Sequence, residues 1–200
     1  MTVSIYLAHL NPVTNAHVEI IEELKKETKV IVMPVIFRKN DEEVNSKSFP
    51  FSFEIRKQML DAVFGNSIEI SKNYTFEAPF WRYLPPLLSP FSWKLRKQIL
   101  QGIPEDYFTY TGDKAEGMML KAYGLNPKVG MRKKITATSV KNKMYDEVLG
   151  KDSLWEEDVP SKVVEIIKQH WKIIEKYAKL KDETTRVVGM KFPKDGYWSR

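Results

Sequence analysis

Apolar residues along the chain follow two rhythms. Short apolar runs at residues 3–7 and 29–36, with weaker ones at 67–71, 107–111 and 128–130, read as strands. The first two are continuous enough to be buried on both faces, as strands of a parallel sheet are. Between the runs, apolar residues recur at helical spacing: Val18, Ile20, Ile21 and Leu24; Ile55, Met59, Leu60 and Val63; Met118, Met119, Leu120 and Tyr123; Val140, Met144, Val148 and Leu149. Boundary residues agree with these assignments. Ser52 suits a helix N-cap, Gly65-Asn66 a helix end, and Gly124 closes the helix after the fourth strand. Strands alternating with helices predict an α/β fold, a doubly wound parallel sheet of Rossmann-like type, with ligands at the carboxyl ends of the strands.

Residues 74–105 interrupt the alternation. Pro79, Pro85, Pro86 and Pro90 lie among Phe76, Phe80, Trp81, Tyr83, Phe91 and Trp93, which forbids a long regular element until a helix resumes at Ser92. This segment reads as an insertion over the strand ends, either shaping an acceptor pocket or adding a packing or self-association layer. Residues 161–180 predict one long amphipathic helix whose stripe serves core packing or a dimer face, so a homo-oligomer stays open. The basic tail from Lys181, with Phe192, Tyr197 and Trp198, either docks back or stays disordered. The organisation expected is an α/β domain over 1–150 with the 74–105 insertion, and a C-terminal helical extension and tail over 151–200 packed on it.

Composition narrows the chemistry. A chain 42% hydrophobic can bury one good core, and the absence of cysteine excludes disulfides, zinc–thiolate sites and a thiol nucleophile. No apolar run approaches the ~20 residues that span a bilayer, and no basic stretch followed by an apolar one opens the chain. A cytoplasmic protein without membrane contact is the expectation. A net charge of +6 favours anionic partners, either small phosphates or nucleic acid. Nucleic acid is the weaker choice, because the charges are scattered and no RNA-binding consensus appears.

The most informative stretch is Leu10-Asn11-Pro12-Val13-Thr14-Asn15-Ala16-His17, between the first strand and the first helix. Thr14 or Asn15 is the expected N-cap. A helix N-terminus delivered beside a strand end suits a phosphate, because unpaired N–H groups and the positive end of the dipole point at it. A single histidine at a helix start is ordinarily a cap or a surface group. Here the stretch resembles the TxGH form of the HxGH signature of nucleotidylyltransferases, and it is similar to the D-P-V-T-N-G-H wording of phosphopantetheine adenylyltransferases. Ala16 replaces the glycine and is compatible if its φ stays negative. Ala8-His9-Leu10 replaces the usual Gly-Ser/Thr/Arg-Phe. Downstream, Ile135-Thr136-Ala137-Thr138-Ser139-Val140-Lys141 resembles the I-S-x-T-x-I-R signature, with Lys141 keeping the charge of the arginine but not its planar fork. Trp155 followed by Val159-Pro160 is similar to a continuation found in archaeal-type nicotinamide mononucleotide adenylyltransferases. The resemblance spans residues 3–170 and is weakest in the middle.

This resemblance implies transfer of a nucleoside monophosphate to a small phosphorylated acceptor with release of pyrophosphate, with ATP favoured over CTP as donor. The implied catalytic set is His17 as a donor to the phosphates, Thr14 in the place of the family's first histidine, and Lys141. Ala8, His9, Leu10, Gly112, Asp113, Thr136, Thr138 and Ser139 would surround the nucleotide. Arg38 or Lys39, just past the second strand, would reach phosphates, and Trp81 and Arg82 of the insertion are acceptor-side candidates. Mg2+ is implied as a companion of the triphosphate, with no dedicated protein cage. Plainer roles stand beside these: capping for Thr136, Thr138 and Ser139, a solvated charge for Arg38 or Lys39, packing for His9, and a local ion pair for Arg56. Two other classes also stand. One is a catalytically inactive nucleotide-binding module, suggested by Ala8, Ala16 and Lys141; the other is a nucleic-acid binder.

Overall fold

The computed structural model describes residues 2–112, 114–131, 133–187 and 190–198; Asp113 and Arg132 lie outside the described residues. Strand β1 (Val3–Ala8) leads through the polar loop into helix α1 (Asn15–Lys25), and the chain returns as β2 (Lys29–Pro34), parallel to β1. The second apolar run then divides, correcting the expectation of one strand over 29–36. Pro34 has no N–H with which to extend the ladder, and the Val35 N–H bonds instead to the Ala8 carbonyl at 3.0 Å. Beyond it, β3 (Ile36–Lys39) enters a second sheet, antiparallel to β4 (Glu42–Glu43).

Helix α2 (Phe53–Phe64) follows, with Ser52 at its N-cap and Gly65 at φ 55° ending it, and β5 (Glu69–Ile70) pairs with β2. The 74–105 segment contributes β6 (Thr75–Glu77), parallel to β3, and helix α3 (Pro90–Ile99). That helix starts two residues before Ser92, because the Ser89 hydroxyl caps it and Pro90 is tolerated in the first turn. Then come β7 (Tyr107–Thr111), α4 (Lys114–Ala122), β8 (Pro127–Val129) and α5 (Ala137–Val148). The central sheet has five parallel strands in the order β5-β2-β1-β7-β8. This is the doubly wound α/β fold, and its order reverses between β1 and β7.

Alternation along the strands divides the interior into two cores. Tyr6, Val30 and Val32 face α1, α2 and α5; Val3, Ile5, Leu7, Ile31 and Met33 face the insertion and α4. The stripe over 161–180 belongs to the first core, though not as one helix. His170, at φ −107° and ψ 20°, ends α6 (Ser161–Gln169) and redirects the chain into α7 (Trp171–Ala178). The break keeps both halves on the same core, burying Val163 and Ile167 and then Ile174 and Ala178, and it stacks Trp171 on the buried Trp155 at 5.7 Å. The tail docks as a hairpin, β9 (Thr184–Val187) and β10 (Met190–Pro193), with Phe192 and Tyr197 in the second core. Two residues expected on apolar faces are instead exposed: Met118 at 76% and Leu149, which lies just past the end of α5, at 57%. Among the described residues no helix is long and apolar enough to cross a membrane.

Candidate functional site

The loop after β1 is built to hold an unusual backbone. Leu10 is fully buried at φ 50°, a left-handed conformation that costs a non-glycine residue free energy. Two clasps retain it. The Asn11 amide donates to the Phe51 carbonyl at 2.7 Å and its oxygen accepts the Phe51 N–H at 3.1 Å. The buried Arg56 guanidinium donates to the carbonyls of His9 and Val35, both at 2.8 Å, and to the Glu43 carboxylate at 2.9 Å. Arg56 therefore serves packing and an ion pair, the plainer role weighed for it.

The loop delivers the N-terminus of α1 beside the end of β1. Thr14 is the N-cap, and the His17 ring closes a capping box in the place usually taken by Glu or Gln. Its Nδ1 accepts the Thr14 N–H at 3.0 Å. A backbone N–H can only donate, so in the neutral ring the proton sits on Nε2. Burial, and then the charge of Lys141, hold His17 down to about 4, so at neutral pH the ring is uncharged. The result is an imidazole of fixed tautomer with one N–H to offer. Ala16 lies inside the helix without a positive φ, so the missing glycine causes no backbone strain.

The N-terminus of α5 opens on the same space. Thr136 accepts the Ser139 N–H at 3.1 Å, and the Ser139 hydroxyl accepts the Thr136 N–H at 3.2 Å. One turn on, Lys141 is buried and its Nζ donates to the Asn11 carbonyl at 2.5 Å, joining α5 to the first loop. Desolvation, then the nearby Lys191, lower its ammonium to about 7.

These elements enclose a cleft of about 460 Å³. It sits where the strand order reverses, the place at which doubly wound sheets take ligands. Ala8, His9, Leu10, His17, Gly112, Thr136, Thr138 and Lys141 all line it. Thr14 and Ser139 stand behind the wall, the first with its hydroxyl 3.1 Å from His17 Nδ1 and the second inside the cap of α5. His9 stacks on Phe49 at 4.7 Å and is pushed down to about 3, chiefly by burial and then by Lys141, Arg56, Lys191 and His17. Arg38, Lys39, Trp81 and Arg82 are not among the described lining residues. Arg38 pairs with Asp41 and Glu77, Lys39 pairs with Asp195, and the Arg82 guanidinium lies 4.2 Å from the Phe91 ring beside a half-exposed Trp81.

Several lining residues escaped sequence reasoning: Ser48 and Phe49 before α2, Glu116 on α4, and Arg186, Met190 and Lys191 on the hairpin. β-Branched and apolar residues at Thr184, Thr185, Val187 and Val188 were a weak signal for a strand there, but nothing local tied it to the cleft. A second, apolar cavity of about 60 Å³ lies between the insertion and α4, and shares Tyr74, Met119 and Met190 with the cleft wall.

The two cleft histidines make stability pH-dependent. Below their ordinary value near 6.5, the unfolded chain takes up protons that the folded chain refuses until pH falls to about 4 at His17 and about 3 at His9. The unfolded state then binds more protons, so stability falls as pH drops from 6.5 towards 4. Urea midpoints are expected to be lower at pH 5 than at pH 7, with most of that difference lost in a His9→Gln, His17→Gln double variant. Lys141 acts with the same sign between about 7 and 10.5, where stability rises with pH.

No protein-family model matches the chain, and no curated protein matches it by sequence. Solved structures match it by fold. A bifunctional NMN adenylyltransferase/ADP ribose pyrophosphatase from Francisella tularensis aligns with a TM-score of 0.61 at 16% identity, over 88% of this chain and 52% of that one. The same enzyme complexed with AMP and a manganese ion gives 0.57 at 16% identity over the same shares. A protein from Vibrio parahaemolyticus, assigned as a nicotinate-nucleotide adenylyltransferase, gives 0.54 at 14% identity, over 88% of this chain and 96% of that one. The chain spans about half the length of the first two. The fold is thus the Rossmann-like fold found in nucleotidylyltransferase structures.

Proposed function

We propose that the chain is a nucleotidylyltransferase that moves a nucleoside monophosphate, AMP in preference to CMP, from a triphosphate to a small phosphorylated acceptor. One observation carries this reading: two capped helix N-termini, the neutral His17 with its Nε2–H, and the buried Lys141 share one cleft at the switch point of the sheet. Together they form a surface of donors and positive potential suited to phosphate oxygens.

In this reaction an acceptor phosphate oxygen forms a bond to the α-phosphorus, and the bond to the bridging α–β oxygen breaks, its electrons leaving with pyrophosphate. The nucleophile is already anionic, so no general base is required, and catalysis is positioning plus charge stabilisation. His17 Nε2–H donates to an α-phosphate oxygen. Thr14 holds the imidazole from behind. Lys141 takes up a proton as the phosphates enter, because adjacent negative charge favours its ammonium form. Glu116 is the one carboxylate among the described lining residues, and those residues present no group of three or more His, Asp or Glu. They fit a magnesium ion carried on the triphosphate's own oxygens, where it would neutralise charge on the departing pyrophosphate.

The activities named for the fold neighbours make nicotinamide and nicotinate mononucleotides the first acceptors to try. Pyrophosphate release, measured with ATP or CTP, Mg2+ and each of NMN, nicotinate mononucleotide and phosphopantetheine, tests the proposal. Release with one pairing supports it. No release together with no triphosphate binding by calorimetry overturns it. Binding without release moves the reading to a nucleotide-binding module, in line with the Ala16 side chain on the cleft wall.

A further inference from the structure

The β9–β10 hairpin has no part in the chemistry above, yet it contributes two cations to the cleft. Lys191 and Arg186 are register partners in the antiparallel pair, so their side chains leave the same face of the hairpin. Both line the cleft. Lys191 is also held in place. Its Nζ donates to the Ser48 hydroxyl at 3.0 Å, Ser48 donates in turn to Asp182 at 2.9 Å, and the Asp182 carboxylate lies 3.8 Å from Nζ. An ammonium has three N–H donors, and Ser48 uses one of them. The hairpin itself is anchored away from the cleft, by Phe192 and Tyr197 in the second core and by Asp195 paired with Lys39 at 2.7 Å. A strand anchored elsewhere that presents a seated ammonium, with two N–H donors beyond the one given to Ser48, to a cleft is arranged for an anion.

We infer that the C-terminal hairpin is a working wall of the site, in which Lys191, which lines the same cleft as Lys141, binds a phosphate group of the substrates. The inference rests on the nucleotidyl-transfer reading and extends it to a part of the chain that the sequence motifs do not reach. The phosphate belongs either to the triphosphate or to the acceptor, and the two sources separate experimentally.

Lys191→Met and Lys191→Arg are compared with the unaltered chain by calorimetry, using MgATP, inorganic tripolyphosphate and NMN as separate probes. Asp195→Asn, which loosens the hairpin on its far side, is the control for a purely structural effect. Lys191→Met is expected to weaken at least one probe by tenfold or more, with Lys191→Arg within about threefold of the unaltered chain. Weakening of MgATP and tripolyphosphate assigns the residue to the triphosphate; weakening of NMN alone assigns it to the acceptor.

A second readout is the pH dependence of binding. Lys141 faces Lys191 and Asp182 from the tail side, Arg56 from α2 and the His17 ring from α1. Removing the Lys191 charge is expected to move the Lys141 titration to higher pH, and loss of phosphate binding by Lys191→Met on both sides of that titration separates the phosphate contact from this indirect effect. Equal weakening by Asp195→Asn, or binding of all three probes by Lys191→Met as tight as in the unaltered chain, overturns the inference. If the unaltered chain binds the probes and releases pyrophosphate in that second case, the transferase reading survives. If the unaltered chain binds no probe, both fail.

Discussion

His17→Ala is expected to lower pyrophosphate release by about 10²–10³-fold, the usual consequence of removing one preorganised donor from a developing oxyanion. The expectation follows from the fixed tautomer. Because Thr14 N–H occupies Nδ1, the Nε2–H is the donor left for a ligand, and burial keeps the ring neutral so that this proton is present across the physiological range. The same residue closes the capping box of α1, so alanine should also cost about 1 kcal/mol of stability. His17→Gln separates the two roles. Glutamine at this position can accept the Thr14 N–H and restore the cap, and its amide NH2 is a donor displaced from the position of the imidazole Nε2–H. Steady-state rates and urea midpoints should therefore diverge for His17→Gln, with stability near that of the unaltered chain and activity between those of His17→Ala and the unaltered chain. Full activity in His17→Ala would remove His17 from the chemistry.

The second large effect is on folding. Arg56→Met should destabilise the protein by about 3–5 kcal/mol, the range seen when one partner of a buried ion pair is removed. The side chain is 2% exposed and serves four acceptors: the carbonyls of His9, Val35 and Ser52 and the Glu43 carboxylate. Methionine fills much of the volume but leaves buried carbonyls without donors, each a desolvation penalty of its own. Arg56→Lys should recover only part of the loss, since one ammonium cannot reach acceptors spread around a planar fork. Because the clasp also holds the His9 loop, nucleotide binding should weaken in parallel. Thermal and urea unfolding of the three proteins decide the matter, and a midpoint unchanged in Arg56→Met would show that the clasp contributes little.

The sequence carried the order of strands and helices, because that depends on a rhythm of two or of three to four residues that neighbours alone determine. Both helix starts at the cleft were legible for the same reason: Thr14 with His17, and Thr136 with Ser139, make bonds that close within one turn. Elements whose limits depend on distant partners were not. The apolar run over 29–36 reads identically whether it serves one sheet or two, and the division at Pro34 and Val35 follows from bonding to Ala8 and from the pairing of β3 with β6. Likewise the stripe over 161–180 has one period, and its break at His170 answers to the shape of the core that receives both halves.

The sequence by itself thus determined a doubly wound α/β chain with two phosphate-suited helix starts, His17 on one and Lys141 on the other. Tertiary structure decided what surrounds them. It brought Lys191 to the cleft that Lys141 lines from 50 positions earlier, placed Arg38 and Lys39 in ion pairs off its lining, and put Thr14 behind the wall. It also decided protonation, since the neutral histidines and the lowered Lys141 result from burial and from charges contributed by other elements. Short-range bonds are encoded where they occur, whereas desolvation and the meeting of distant charges exist only once the chain has closed on itself.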